Sequence, residues 1–142
     1  MPKRNAHAEW QGTLPDGKGS ISLGSGAFEG SYSFSSRFEN GTGTNPEEMI
    51  AAAHAGCYAM ALSAELGKNG YKPQSVKTEA VVHLVKDNDG FKISEIDLEC
   101  DAHIPGIDQA TFDEFAEGAK VNCPVSKVLS AAKINLSATL KN

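Results

Sequence analysis

A chain of 142 residues with 18 acidic against 13 basic side chains carries a net charge of −5, which lacks the basic face that nucleic acid demands. Its composition, 40% hydrophobic and 22% charged, is that of one globular domain with a real core, residues 1–142. No basic segment followed by an apolar run opens the chain, and three widely spaced cysteines do not make a secreted disulfide framework, so a cytoplasmic protein is expected.

The N-terminal third reads as strands. Ala6, Ala8 and Trp10 alternate with His7, Glu9 and Gln11, and Leu14-Pro15-Asp16-Gly17 is a turn by composition. Gly19, Ile21 and Leu23 alternate in turn with Ser20, Ser22 and Gly24. A third run, Ser31 to Arg37, sets Tyr32 and Phe34 against Ser31, Ser33, Ser35 and Arg37, which predicts a third half-buried strand of an antiparallel meander. The breaker-rich loop from Glu39 to Thr44 follows.

The stretch from Thr44 to Gly70 predicts a long helix. Asn45 is a capping residue, Pro46 suits the first helical position, and Glu48 stands three residues after Asn45 as a capping-box acid would. Gly67, Asn69 and Gly70 supply the stop. Between Met49 and Ser63 no residue carries a full charge, His54 aside, and the residues are mostly Ala with Met, Ile, Leu, Gly and Cys57. Interrupted by His54, Gly56 and Ser63, the helix is expected to be too short to span a bilayer. A helix apolar all round needs cover all round. One small sheet supplies only one side, so an obligate homodimer with the helices packed about a two-fold axis is expected.

Beyond the helix, Ser75 to Asp87 predicts a long Val-rich strand, Asn88-Asp89-Gly90 a hairpin turn, and Phe91 to Ile104 the returning strand. In that strand Ile96, Leu98, Cys100, Ala102 and Ile104 face one way. A second helix runs from Asp108 or Thr111 to Val121, with Thr111 and Glu114 as a possible capping box. Asn122-Cys123-Pro124 breaks it, a short helix runs from Pro124 to about Ala132, and a final strand alternates Ile134, Leu136, Ala138 and Leu140 with polar residues. The order βββ-α-ββ-αα-β is that of an α+β domain of mainly antiparallel strands.

Four positions have the side chains for chemistry. Cys123 precedes Pro124 and so takes the N-cap of the short helix, where the helix dipole favours a thiolate. Cys57 lies mid-helix among apolar neighbours, where a cysteine packs as an inert small hydrophobe unless a cation and hydrogen-bond donors reach it. Arg37 ends the third strand on its polar face, the setting of a solvated charge. Glu47 complements the helix dipole but is not needed for the capping box. Cys100 falls on the apolar side of its strand and reads as core. A zinc site competes: His54-x-x-Cys57 puts two ligands on one helical face, with Cys123 as a third, but Cys100-x-x-His103 fails because strand residues three apart point to opposite faces.

The runs R-F-E (Arg37 to Glu39), G-T-N-P-E-E-M-I (Gly43 to Ile50), A-A-H-A-G-C (Ala52 to Cys57), P-G-I-D (Pro105 to Asp108) and N-C-P-V-S (Asn122 to Ser126) closely resemble the OsmC/Ohr family of thiol-dependent peroxidases. The resemblance covers essentially the whole chain. His54 before Cys57, and Arg37 placed late in the third strand, look like the OsmC branch. The resemblance implies an intertwined homodimer of antiparallel sheets around the central helix. It implies that Cys57 is the peroxidatic cysteine, Cys123 the resolving cysteine that closes an intramolecular disulfide with it, Arg37 the arginine that holds the thiolate and polarises the peroxide, and Glu47 the glutamate that positions Arg37. It further implies organic hydroperoxides and hydrogen peroxide as substrates, an external dithiol such as a lipoyl protein as reductant, and no metal or organic cofactor.

Chemistry agrees with those roles. A thiolate needs a nearby cation, the leaving oxygen needs a donor, and a guanidinium serves both. Glu47 and Cys57 are ten residues apart on one helix, which is about 15 Å of rise. An Arg37–Glu47 pair acting on Cys57 is therefore expected to reach it from the other subunit. The alternatives are a non-catalytic redox sensor or small-molecule binding module on the same fold, and a zinc-stabilised structural protein.

Overall fold

The computed structural model describes residues 1–142, which divide into two compact units, Met1–Met49 and Ile50–Asn142.

In the first unit, strands β1 (Ala6–Gln11), β2 (Lys18–Leu23) and β3 (Glu29–Tyr32) form an antiparallel meander in that order. Gly19 pairs with Trp10 on one side and Tyr32 on the other. The absent Cβ leaves room for both rings, whose centroids are 5.4 Å apart across it. The third strand stops five residues earlier than the alternation predicts. After Tyr32 the chain turns into a short helix, α1 (Phe34–Phe38). The cause is local: the Ser33 hydroxyl accepts from the Ser36 amide at 3.1 Å, and the Ser33 amide donates to the Ser36 hydroxyl at 2.8 Å. This capping box satisfies two backbone groups that a strand would leave to a neighbour. Arg37 consequently lies on a helix, not at a strand end.

Helix α2 (Pro46–Lys68) begins in the first unit and continues into the second. Asn45 caps it, accepting from the Glu48 amide at 2.7 Å, as predicted. The Glu48 carboxylate takes a hydrogen bond from the Thr44 hydroxyl at 2.8 Å. At 23 residues the helix is long and apolar enough to cross a membrane by length and composition, so the expectation that it is too short is corrected. Its residues Tyr58, Leu62 and Leu66 lie in a protein core.

That core belongs to the second unit. Strands β4 (Ser75–Asp87) and β5 (Gly90–His103) form a long antiparallel hairpin, with Asn88 in the left-handed conformation at the turn, φ 56°. Strand β6 (Lys133–Leu140) lies parallel to β5, so this sheet is mixed rather than antiparallel, with order β4-β5-β6. Helices α3 (Gln109–Asn122) and α4 (Pro124–Val128) make the crossover that a parallel pair requires. Asp108, not a Thr111–Glu114 box, caps α3 by accepting from the Thr111 amide at 3.1 Å.

The alternation in β5 holds: Ile96, Leu98, Cys100, Ala102 and Ile104 are all buried. Leu98 to Ile104 pack with Tyr58, Leu62 and Leu66 of α2 and with Phe112, Ala116 and Ala119 of α3. Cys100 is core, as its register predicts. Phe112 is fully buried, so Phe112→Ala is expected to cost about 3–5 kcal/mol, read as a lower urea midpoint. A shift under about 1 kcal/mol would mean that the cluster is not the stabilising core.

The opposite face of α2 is a different surface. Ala52, Ala53, Gly56, Met60 and Ala64 are exposed, with Met60 at 75%, while Tyr58, Leu62 and Leu66 are buried.

Candidate active site

The four predicted residues fall into two pairs, one in each unit. In the second unit the helix period puts His54, Cys57 and Tyr58 on the side of α2 that faces α3 and α4, with Tyr58 donating to the Ala116 carbonyl of α3 at 3.0 Å. Cys123 sits at the break between those two helices. Its amide donates to the Ala119 carbonyl to finish α3, and Pro124 begins α4 directly after it. Cys123 therefore occupies both the end of one helix and the N-cap of the next, as Pro124 predicts. Two helix ends hold its side chain against α2, and the Cys123 and Cys57 sulfurs lie 2.8 Å apart.

Both thiols are free. Cys57 is half-buried and Cys123 fully buried. Burial pushes the Cys57 thiol up, its contact with Cys123 adds to this, and the Val125 amide opposes it. Burial also resists ionisation of Cys123. There, however, Cys57, the Ser126 amide and hydroxyl, and the Val125 amide together outweigh it and hold the pKa below that of an ordinary thiol. No strict capping hydrogen bond forms at this N-cap; the amides act as oriented dipoles at the start of α4. Within residues 50–142, the donors that favour a thiolate are gathered at Cys123, and Cys57 has only the Val125 amide in its favour.

His54 is fully buried and its Nε2 is 2.7 Å from the Ser126 hydroxyl. Burial lowers its pKa, which keeps the ring neutral. Ser126 was silent in the sequence because a serine in the first turn of a helix is ordinary. The only signal was its spacing, three residues after an N-cap cysteine, which puts it in the same first turn.

In the first unit, α1 turns Arg37 toward Glu47 in the first turn of α2. Arg37 Nε lies 3.2 Å from both Glu47 oxygens and Nη2 lies 2.8 Å from Oε1. Such a fork fixes the guanidinium plane, which also lies 5.2 Å from the centre of the Phe38 ring. Glu47 engages the Nε and Nη2 edge and does not engage Nη1. Beside Arg37 opens a cavity of about 320 Å³, walled by Trp10, Leu14, Tyr32, Phe34 and Phe38. The Trp10 and Leu14 walls were not foreseen, because the sequence does not show that the first strand and its turn return to α1.

Residues 39–138 match the family described as OsmC-like protein. The chain is 46% identical over 140 residues to the peroxiredoxin OsmC of Escherichia coli strain K12, covering 98% of this chain and 97% of that one. It is 32% identical over 101 residues to an organic hydroperoxide resistance protein of Xanthomonas axonopodis pv. citri, covering 70% and 67% of the two chains. A crystal structure described as an organic hydroperoxide resistance protein OsmC, from Legionella pneumophila, superposes with a TM-score of 0.73 over 96% of this chain and 97% of that chain, at 22% identity, a likeness of fold.

Proposed function

The chain belongs to the OsmC family, and from that premise we propose that it is a cysteine-based peroxidase that reduces organic hydroperoxides and hydrogen peroxide. The observation that carries this reading is the pair of free sulfurs 2.8 Å apart at a helix N-terminus. A disulfide needs a separation near about 2.05 Å, so little motion closes it.

Access supports the proposed roles within the pair. Cys57 is partly exposed and Cys123 has no exposed surface, so a peroxide meets Cys57 first. The Cys57 thiolate attacks one peroxide oxygen, the O–O bond breaks, and the other oxygen leaves as an alcohol or water after taking a proton. Cys57 becomes a sulfenic acid. Cys123 then attacks its sulfur, expels hydroxide and closes the disulfide before further oxidation intervenes. An external dithiol, such as a lipoyl protein, reopens it.

Cys57 ionises poorly in its own burial, so the reading needs a cation. Arg37, held by Glu47, is the proposed source, acting on the cysteine of a second copy because ten residues of helix separate Glu47 from Cys57. The exposed small-residue face of α2, Ala52, Ala53, Gly56 and Met60, supports a homodimer in which that helix meets a second copy. The aromatic cavity beside Arg37 suits an alkyl group on the peroxide. We take the protein to be one family domain, as the match over residues 39–138 crosses both units, and to act without metal or organic cofactor in the cytoplasm, where dithiols are reduced.

The test is multiple turnover of an organic hydroperoxide by the purified protein with a dithiol. Sustained consumption is expected. Stoichiometric oxidation that stops after one equivalent would favour the redox sensor instead.

A further inference from the structure

His54 and Ser126 are separated by 71 residues of sequence, yet both are buried and they meet at 2.7 Å. Each stands one helical turn from a sulfur. His54 precedes Cys57 by three on α2, and Ser126 follows Cys123 by three on α4. Ser126 is the N3 residue of α4, in the turn that Cys123 opens as N-cap, where its amide and its hydroxyl both lower the Cys123 thiol. A hydroxyl has one hydrogen. If that hydrogen goes to sulfur, the oxygen must accept from His54 Nε2–H. The state of the ring fits: His54 is held neutral by burial, and Nδ1 is the side-chain atom of His54 left buried without a partner. With the hydrogen on Nε2, Nδ1 is a bare lone pair. The other tautomer would bury an unpaired N–H.

We propose that Ser126 and His54 are positioning residues for the disulfide-forming step, a chain of donors from His54 Nε2–H to Ser126 Oγ–H to the Cys123 sulfur that holds Cys123 as the attacking thiolate. The inference rests on the peroxidase reading and adds a division of labour to it. Arginine serves the cysteine that meets the peroxide, and a neutral, buried hydroxyl–imidazole pair serves the one that follows. The step balances. The Cys123 thiolate forms the S–S bond at the Cys57 sulfenic sulfur, the S–O bond breaks, and hydroxide leaves as water with the proton that Cys123 released. Cys123 is oxidised and the sulfenic acid is reduced to the disulfide level. The groups around the chain are few. Cys57 of α2 is the titratable group against Cys123, and Lys120 of α3 and Lys127 of α4 border the groove that Ser126 also lines. Neither lysine belongs to the donor chain.

Two measurements decide it. The first is a single turnover without reductant, quenched in time, that counts peroxide consumed, sulfenic acid on Cys57 and disulfide formed. Ser126→Ala is expected to slow disulfide closure by about tenfold or more relative to peroxide consumption, so that sulfenic acid accumulates. Ser126→Thr, which keeps the hydroxyl, and His54→Gln, which keeps an N–H near the Nε2 position, are expected to close near the wild-type rate. His54→Leu is expected to slow closure as Ser126→Ala does. The second is ultraviolet thiolate absorbance against pH in a Cys57→Ser, Cys100→Ser background, where Ser126→Ala should move the Cys123 titration to higher pH. Wild-type closure kinetics together with an unmoved titration in Ser126→Ala would overturn the proposal. So would a Ser126→Thr variant as slow as Ser126→Ala, because a packing role alone would then explain both. A wild-type protein that consumes no hydroperoxide sinks the peroxidase reading, while the titration still decides whether the donor chain holds Cys123.

Discussion

Cys57→Ser is expected to abolish hydroperoxide turnover, down to the uncatalysed rate, with the fold unchanged. Serine fits the same half-buried site on α2, and the core cluster that begins at Tyr58 does not depend on the sulfur. What is lost is the nucleophile. An alcohol is far less acidic than a thiol, and the surroundings already raise the Cys57 thiol by burial, so no alkoxide forms at neutral pH. Cys123→Ser should behave differently. One equivalent of peroxide is still consumed, because Cys57 remains. With no sulfur 2.8 Å away to capture the sulfenic acid, Cys57 then persists in that form or oxidises further, which mass measurement resolves as added oxygens. Equal loss in both variants at the first equivalent would exchange or merge the two roles. Turnover retained by Cys57→Ser would end the reading of Cys57 as the peroxidatic cysteine.

Arg37→Ala is expected to reduce turnover roughly a hundredfold or more, the usual cost of deleting a charged donor that faces developing charge. Glu47→Gln should cost less, since the guanidinium stays charged but loses an ionic partner that engages both Nε and Nη2. The more decisive form of the experiment mixes chains. When Arg37→Ala and Cys57→Ser subunits are refolded together, half of the dimers are mixed and each has one site with both groups intact, if the site is shared. About a quarter of wild-type activity should return from two parents that are each nearly dead. If Arg37 serves the cysteine of its own chain, every site in every mixture lacks one group and nothing returns. The same preparations should sediment as dimers. Monomers would remove the partner that the exposed apolar face of α2 is proposed to meet.

Much of this was legible along the chain, and the reasons differ by element. Strand β5 was legible because strict alternation from Ile96 to Ile104 has one solution, a single buried face. The hairpin at Asn88, the Asn45 cap and the N-cap position of Cys123 were legible because each is a local contact with a residue-specific cause. Arg37 was misplaced for the same kind of reason. Alternation and a capping box compete over Ser31 to Arg37, and two hydrogen bonds between Ser33 and Ser36 decide for the helix. The parallel pairing of β6 was not legible, because alternation is blind to strand direction.

Sequence alone determined which residues could do chemistry: two cysteines in positions with different electrostatics, an arginine and a glutamate, all of types and spacings that single out one family. It also determined that α2 would be apolar on every side. Only the tertiary structure decided which groups meet. The Cys57–Cys123 and His54–Ser126 contacts join α2 to the break between α3 and α4 across 65 and 71 intervening residues, distances over which no local propensity acts. Packing of Tyr58, Leu62 and Leu66 on β5 and α3 sets the rotation of the helix. That rotation is what turns a small apolar side chain, which Cys57 resembles in sequence, into half of a sulfur pair.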